Sequence, residues 1–482
     1  MKLNSLLSDN LMQQYNLGIN DSYKVEKINA KELITKDRID LIAKLKYVEF
    51  IEKGYDLTFM KELYLAHLEA LSREPIAKVV EGNNYPFEQC MANFDSMIDR
   101  IKKNGIDETF SEILIGSNNI IIDGAHRVAI AVYFNLEVPI IRLNSPAIIY
   151  DTEYFKEQLL NEKYIDYLVA EYCKIKDDVY VACIFPKAKG NLKRKEMELL
   201  INESSKIVYK KKVKINYEGL RNLFIQIYSA EKIKWIGCID NNFSGAYFKA
   251  EDCYDSNEIL TVYVLESDSF NQVLELKENI RGIFKIGYHS IHITDTKFEA
   301  IQIGNLLLNQ NSVDFLNFGK PHYFKHFYKD LVKLKEDHIN SKFALDECIL
   351  DMRSTLALYG IKDVQQIEHL SSLNKNAFCG QSQQSHYNYF KHFNTTEDNL
   401  ILNPKYYFVF NDLKFFTLEN IKEYKKSRND IEDQIEVKLI DSFFENENNL
   451  KQNLISLVLR GRYIVKRLMV KSFEKFGMKK FD

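Results

Sequence analysis

Residues 112–143, EILIGSNNIIIDGAHRVAIAVYFNLEVPIIRL, constrain the fold more tightly than any other stretch of the chain. Apolar runs too short for helices alternate with Ser, Asn and Gly, so the segment reads strand, Ser-Asn-Asn turn, strand, glycine corner, helix, strand. That order requires a sheet with a helix laid against it, which makes the fold class α/β, of the α+β kind. At the corner, Asp123, Gly124, Ala125, His126 and Arg127 stand where a buried strand gives way to the helix Val128 to Asn135. A helix start offers unpaired N–H groups and partial positive charge, and a glycine lets a ligand approach the backbone, so His126 and Arg127 would complete an anion pocket. A structural alternative also stands, in which Asp123 caps the helix and Arg127 pairs with a nearby carboxylate.

The chain is 482 residues long, and at about 100–200 residues per domain this allows roughly three domains. Upstream of the corner, 38 to about 72 shows apolar residues at helical spacing, read as two helices broken near Gly54. A loop, EGNNYPFEQ, leads to a helix over 88–103 that stops at Asn104-Gly105. Residues 1–170 therefore form a first domain with a helical N-terminal extension, and a helical connector covers 151–174. Alternating runs at VYVACIF, KIVYKKKVKI, ILTVYVL and HSIHIT predict a central α/β domain over 175–345. A third unit, 346–440, holds a helix at CILDMRSTLALYG, a polar loop near 374–388, strands at YYFVF and LKFFTL, and a charged helix over 422–440 read as solvated. Residues 441–482 form a helical tail whose last 34 positions carry nine Lys or Arg and two acids.

Composition closes several doors. With 65 basic and 68 acidic residues the net charge is −3, which argues against a nucleic-acid coat, and 46% hydrophobic content argues against disorder. The seven cysteines are odd in number and never spaced as CxxC, so neither a disulfide framework nor a zinc ribbon is indicated, and a reducing cytoplasm fits. The first residues lack a signal-peptide core and no run reaches 18 apolar residues, so export and membrane spanning are not expected.

The DGAHR corner resembles the signature of the ParB/sulfiredoxin superfamily, in which a strand ends in an acid, Gly, a variable residue, His or Arg, then Arg. The resemblance spans about 75–143. Members bind nucleotide phosphates there: partition proteins bind CTP, sulfiredoxins use ATP, and some relatives are free serine kinases. The resemblance implies a site for ATP or CTP, with Mg²⁺, at Gly124, Ala125, His126 and Arg127, oriented by Asp123. An upstream acid common in such proteins points to Glu81, in VVEGNNYPF, for substrate positioning or as general base. Position 125 is Ala where sulfiredoxins place their reactive Cys, which argues against sulfinic-acid repair. No basic recognition helix follows, which argues against chromosome partition and nucleic acid as partner.

In KIGYHSIHITDTKFE, an extended reading puts His289, Ile291 and Ile293 on one face and Ser290, His292 and Thr294 on the other. Asp295 and Glu299 could curl back to form a metal site, or Thr294 or Asp295 caps the helix KFEAIQIGNLLL, or His292 transfers protons toward a pocket. The segment is similar to one in uncharacterised proteins of bacterial capsule and lipopolysaccharide loci, where Ser-Ile-His-Ile-x-Asp-Thr precedes a block matched here by Asn311 to Asn317.

Leu350 to Ile361 with Gln366-Ile367-Glu368 is similar to the entry of polymerase-β-type nucleotidyltransferases, in which Gly-Ser at a helix start precedes a metal-binding Asp-x-Asp. Here Arg353-Ser354 replaces Gly-Ser and Gln366 and Glu368 replace the acids, leaving Glu368 as the one carboxylate for a metal and marking the domain as degenerate. These readings converge on a cytoplasmic, kinase-like phosphotransferase of surface-polysaccharide biosynthesis. Its acceptor would be a sugar or lipid-linked glycan, and residues 449–482 would touch anionic membrane at the inner face. The competing expectation is a nucleotide-binding regulatory or DNA-binding ParB-like protein without turnover.

Overall fold

A computed structural model describes residues 24–72, 87–106, 112–229, 234–340, 345–371 and 392–445. Glu81, the loop at 374–388 and the basic tail fall outside the described residues. The fold is mixed α/β with three four-stranded sheets, and among the described residues no helix is long and apolar enough to cross a membrane. Two compact units make up the chain, residues 1–177 with 207–209, and residues 178–206 with 210–482.

The first unit contains β1 (Val25–Asn29), α1 (Asp40–Lys53), α2 (Thr58–Ser72), α3 (Phe87–Asn104), β2 (Ile113–Ile115), β3 (Ile121–Asp123), α4 (Ala125–Tyr133), β4 (Glu137–Arg142), α5 (Thr152–Glu157) and α6 (Glu162–Ile175). Its sheet runs β1-β4-β2-β3. The β2/β3 hairpin turns at Gly116 to Asn119, where Gly116 N–H bonds Ile120 O, and Asn118 is pinned to both backbone groups of Ala147. β4 returns parallel to β2, with Leu114 opposite Ile141, so α4 is the crossover between them. Helix α4 buries Val128, Ala129, Ile130 and Ala131 and packs against α1 and α3. Helix α3 presents Met91, Phe94, Ile98 and Ile101 at helical spacing, the pattern of a half-buried helix. It ends at the expected place, Gly105 N–H closing on Ile101 O. Residues 151–174, expected as one helical connector, form α5 and α6, separated at Leu159, which takes a φ of 59°.

The second unit begins with β5 (Val179–Ile184), α7 (Asn191–Ser204), β6 (Lys206–Val213), α8 (Tyr217–Ser229), α9 (Ser244–Cys253), β7 (Leu260–Glu266), α10 (Phe270–Phe284), β8 (Ile291–Ile293), α11 (Lys297–Leu307), α12 (Gln310–Phe318) and α13 (Lys325–Asn340). Its first sheet is ordered β6-β7-β5-β8, with β5 antiparallel to both neighbours. β9 (Cys348–Leu350), α14 (Met352–Leu358), β10 (His369–Ser371), α15 (Glu397–Leu402), β11 (Tyr407–Phe410), β12 (Leu413–Phe416), α16 (Leu418–Arg428) and α17 (Ile431–Glu445) follow. Their sheet is ordered β10-β9-β12-β11. Asn411 and Asp412, both at positive φ, join β11 to β12, as a two-residue hairpin demands.

The charged helix expected over 422–440 is instead split between α16 and α17. Asn429, in the left-handed region, ends α16. Lys425 and Arg428 of α16 then clamp Asp433 of α17 at 3.1 and 2.6 Å. Asp433 is fully buried, so these charges hold two helices together and are not all solvated.

Candidate functional site

The turn from β3 into α4 depends on Gly124. Its φ is +100°, a region side chains rarely occupy, and a Cβ there would lie 2.5 Å from Ile113 Cδ1 and 3.1 Å from Arg127 Nη2. Gly124→Ala should therefore cost about 1–3 kcal/mol, read as a lower urea midpoint in the transition that reports on the first unit.

No side chain caps α4. Asp123 turns instead to Arg127, with Oδ2 accepting from Nη2 at 2.7 Å, while Arg127 Nη1 donates to Glu112 O at 3.3 Å. Of the two structural roles open at this corner, the carboxylate pairing is present and the cap is not. The first-turn N–H groups are consequently left without the side-chain acceptor that closes α5, α11, α14 and α16.

His126 shares a hydrogen bond of 2.5 Å with the Tyr64 hydroxyl and stands edge-on to Phe94, ring centroids 4.6 Å apart. Burial, with the nearby Lys44 charge, pushes its pKa down to about 3. At neutral pH His126 is thus a neutral hydrogen-bonding group and adds no positive charge to the corner.

The positive charge comes from a cluster that sequence spacing did not single out. Arg38 forks onto Asp40, Nε to Oδ1 at 2.7 Å and Nη2 to Oδ2 at 2.9 Å, and its Nη1 reaches the carbonyl of Ile121 on β3 at 2.5 Å. Lys44 Nζ donates to Asp40 Oδ2 at 2.9 Å and lies 3.5 Å from His67 Nε2. Arg38, Asp40, Lys44 and His67 are all buried, none more than 4% exposed. Burial alone would raise the Asp40 pKa, but the Arg38 and Lys44 charges beside it hold the carboxyl well below its ordinary value. Burial lowers the Lys44 pKa against the pull of Asp40, and burial together with Lys44 keeps His67 neutral. His67 Nδ1 is buried without a hydrogen-bond partner.

The charge balance of this region is uneven. Among the described residues, Arg38, Lys44 and Arg127 face the carboxylates Asp40 and Asp123, three cations against two anions. Arg100 and Glu112, which also act on Arg127, add one charge of each sign and leave the excess unchanged.

The other expected site residues divide among three places. Glu81 lies outside the described residues. His292 and Glu299 come together, Nε2 to Oε1 at 2.7 Å and both buried, with the Tyr228 ring edge-on to the imidazole. Glu299 Oε2 accepts from Asp295 N–H at 2.7 Å, but the Asp295 carboxylate turns away to Lys277 Nζ at 2.9 Å. His289 does not share the strand with His292. Gly287, at positive φ, and the Ser290 hydroxyl bonded to Gly287 O close a 3-10 turn over Gly287–His289, and β8 starts only at Ile291. Neither Thr294 nor Asp295 caps α11. Thr294 Oγ1 is spent on Val181 N–H inside the sheet, and Thr296 receives Glu299 N–H instead.

Glu368 sits just ahead of β10, where Arg353 Nη2 holds it at 2.9 Å while Nε of the same guanidinium donates to Asp351, the N-cap of α14. Asp295, Glu299 and Glu368 therefore each answer to other donors. Among the described residues no three His, Cys, Asp or Glu side chains gather to hold a metal ion.

A thiol, imidazole and carboxylate also line up at the end of α9: Cys253 Sγ lies 3.9 Å from His289 Nδ1, and His289 Nε2 lies 4.0 Å from Asp252. Burial pushes the Cys253 pKa up to about 12, and a helix C-terminus disfavours an anion, so this thiol is not an activated nucleophile.

No family model, no curated protein and no solved structure matches this chain.

Proposed function

We propose that the first unit binds a phosphate-bearing nucleotide, ATP or CTP, against the start of α4, and that the chain uses it as a kinase-like phosphotransferase. One observation carries this reading: among the described residues, an excess of buried positive charge lies behind a helix start that no side chain caps. An isolated charge is expensive to bury, and an uncapped first turn already favours an anion, so a phosphate satisfies both demands together. In this reading the N–H groups of the first turn and Gly124 take a phosphate, Arg127 orients it, and Arg38 and Lys44 supply field from behind. His126 contributes a neutral hydrogen bond, with Tyr64 fixing its ring. Mg²⁺ would arrive on the nucleotide's phosphates and neutralise part of their charge. The acceptor class, a sugar or lipid-linked glycan of bacterial surface-polysaccharide synthesis, rests on the resemblance of the Ser290 to Thr296 segment.

A nucleotide sensor without turnover is the second reading. It is favoured by the lack, among the described residues, of three His, Cys, Asp or Glu side chains gathered to hold a metal ion. The two readings part on whether product accumulates over hours with excess Mg²⁺-nucleotide.

Isothermal titration with ATP, CTP, ADP and GTP, with and without Mg²⁺, tests what they share. Micromolar binding is expected, weakened about tenfold or more in Arg127→Ala, since a charged hydrogen bond contributes on the order of 1.5–3 kcal/mol. Absence of binding by every nucleotide would reduce the corner to a structural turn.

A further inference from the structure

We propose that Asp123 is a resident anion that occupies Arg127 until phosphate displaces it, so that this carboxylate sets the affinity of the corner by competing with the ligand. The inference rests on the phosphate-binding reading above and concerns how that site is regulated from within.

Asp123 is the last residue of β3, one position before the glycine that opens α4. The N-cap of α4 is Gly124, which has no side chain, so Asp123 one residue earlier is the nearest preceding carboxylate that could turn to the free N–H groups. It does not. Its Oδ2 takes Arg127 Nη2 at 2.7 Å, four residues on. The pair is lopsided in exposure: the Arg127 side chain is 11% exposed and that of Asp123 is 43% exposed. The cation is therefore fixed in the protein and the anion is the partner that water, or a ligand, can reach. Asp123 also lies close enough to act on the Arg38 charge, so its influence extends beyond Arg127 into the buried cluster.

Two consequences follow from the geometry. With Asp123 in place, an arriving phosphate meets a guanidinium already neutralised, and a like charge beside it. With Asp123 displaced, the phosphate inherits both Arg127 and the field of the buried cluster. A dianion outcompetes a single carboxylate for a guanidinium fork, whereas a monoanion gains little over it, so the arrangement selects for the higher charge of di- and triphosphates. Exposure of the carboxylate limits the size of the effect, because solvent screens its repulsion.

Inorganic tripolyphosphate and ADP serve as probes, titrated into the full chain and into Asp123→Asn, Arg127→Ala and the double variant. Asp123→Asn should tighten tripolyphosphate by on the order of tenfold at low salt, the gain shrinking as ionic strength rises. The double variant should lose that gain, because the freed guanidinium is its source. Without ligand, Asp123→Asn should melt below wild type, having lost the carboxylate paired with a mostly buried arginine. It should then be stabilised by tripolyphosphate more than wild type is, as preferential binding to the folded state requires.

Binding by wild type with no tightening in Asp123→Asn, or a weakening there, overturns the competition and makes Asp123 an orienting group, leaving the phosphate site standing. Absence of binding by both proteins overturns the site and the competition together. Binding by Asp123→Asn alone supports both. Tightening of ADP without tripolyphosphate moves the recognition to the nucleoside and overturns the displacement of Asp123 by phosphate.

Discussion

Replacing Asp40 by alanine is expected to destabilise the first unit strongly. Asp40 is 1% exposed and is the shared partner of Arg38 and Lys44. Its removal leaves two buried cations without the carboxylate they share, and losing one partner of a buried ion pair costs about 3–5 kcal/mol. At about 2–4 °C per kcal/mol for a unit of this size, the transition should fall by on the order of 10 °C. Arg38 also holds the carbonyl of Ile121, so the loss should reach β3 and show as faster amide exchange in both α1 and β3. Lys44→Met makes the contrasting case. It removes one cation of an excess and leaves the two-bond Arg38–Asp40 fork intact, so its cost should be well under half that of Asp40→Ala. A melting transition within about 2 °C of wild type for Asp40→Ala would mean that the cluster is solvated and holds no stored positive charge. That result would also remove the support for a phosphate at the corner.

The same cluster marks the limit of what the sequence discloses. The corner itself was legible: Asp123 to Arg127 between two apolar runs announces a strand, a glycine turn and a helix, and those are the elements present. The stop at Gly105 and the short strands Val179–Ile184 and Leu260–Glu266 were legible for the same reason, local chemistry that overrides distant context. Arg38, Asp40 and Lys44 were not, because charges between apolar residues on a helix normally face water. A signal did exist. Asp40 and Lys44 fall on the same side of α1 as Tyr47 and Val48, opposite the polar side of Lys46, Glu49 and Lys53, and a charge on the apolar face of a helix has to be buried. His67 gave no such signal, since its partner comes from another helix. The Gly287–His289 turn and the Thr296 cap were misjudged because tertiary partners decide them: the Thr294 hydroxyl goes to β5 and the Asp295 carboxylate to Lys277.

Acid should unfold the first unit well before ordinary carboxylate titration would. His67 and His126 are both neutral in the folded protein, the first well below its usual pKa and the second at about 3. Both are driven there first by burial and then by Lys44. Arg38 opposes protonation at each, Arg127 does so at His126, and Asp40 pulls the other way. The folded state therefore binds no proton at these rings where the unfolded chain, with histidines near 6.5, does. Stability is complete above that value and falls as the pH drops through it, by about 1.4 kcal/mol per pH unit for each histidine. The fall continues toward pH 3 for His126, and Asp40, whose folded pKa is depressed, adds a loss of the same sign below about 4. Urea midpoints for the first unit should thus descend steeply from about pH 6.5 to 4.5. His126→Gln keeps an amide within reach of the Tyr64 hydroxyl but cannot take up a proton, so it should remove about half of that slope while shifting the neutral-pH midpoint much less. An unchanged slope in His126→Gln would place the neutral histidine elsewhere. A slope lost together with the neutral-pH stability would make the ring a packing element alone. The expected split, slope without midpoint, is what a histidine kept neutral chiefly by burial, with the Lys44 charge adding to it, requires.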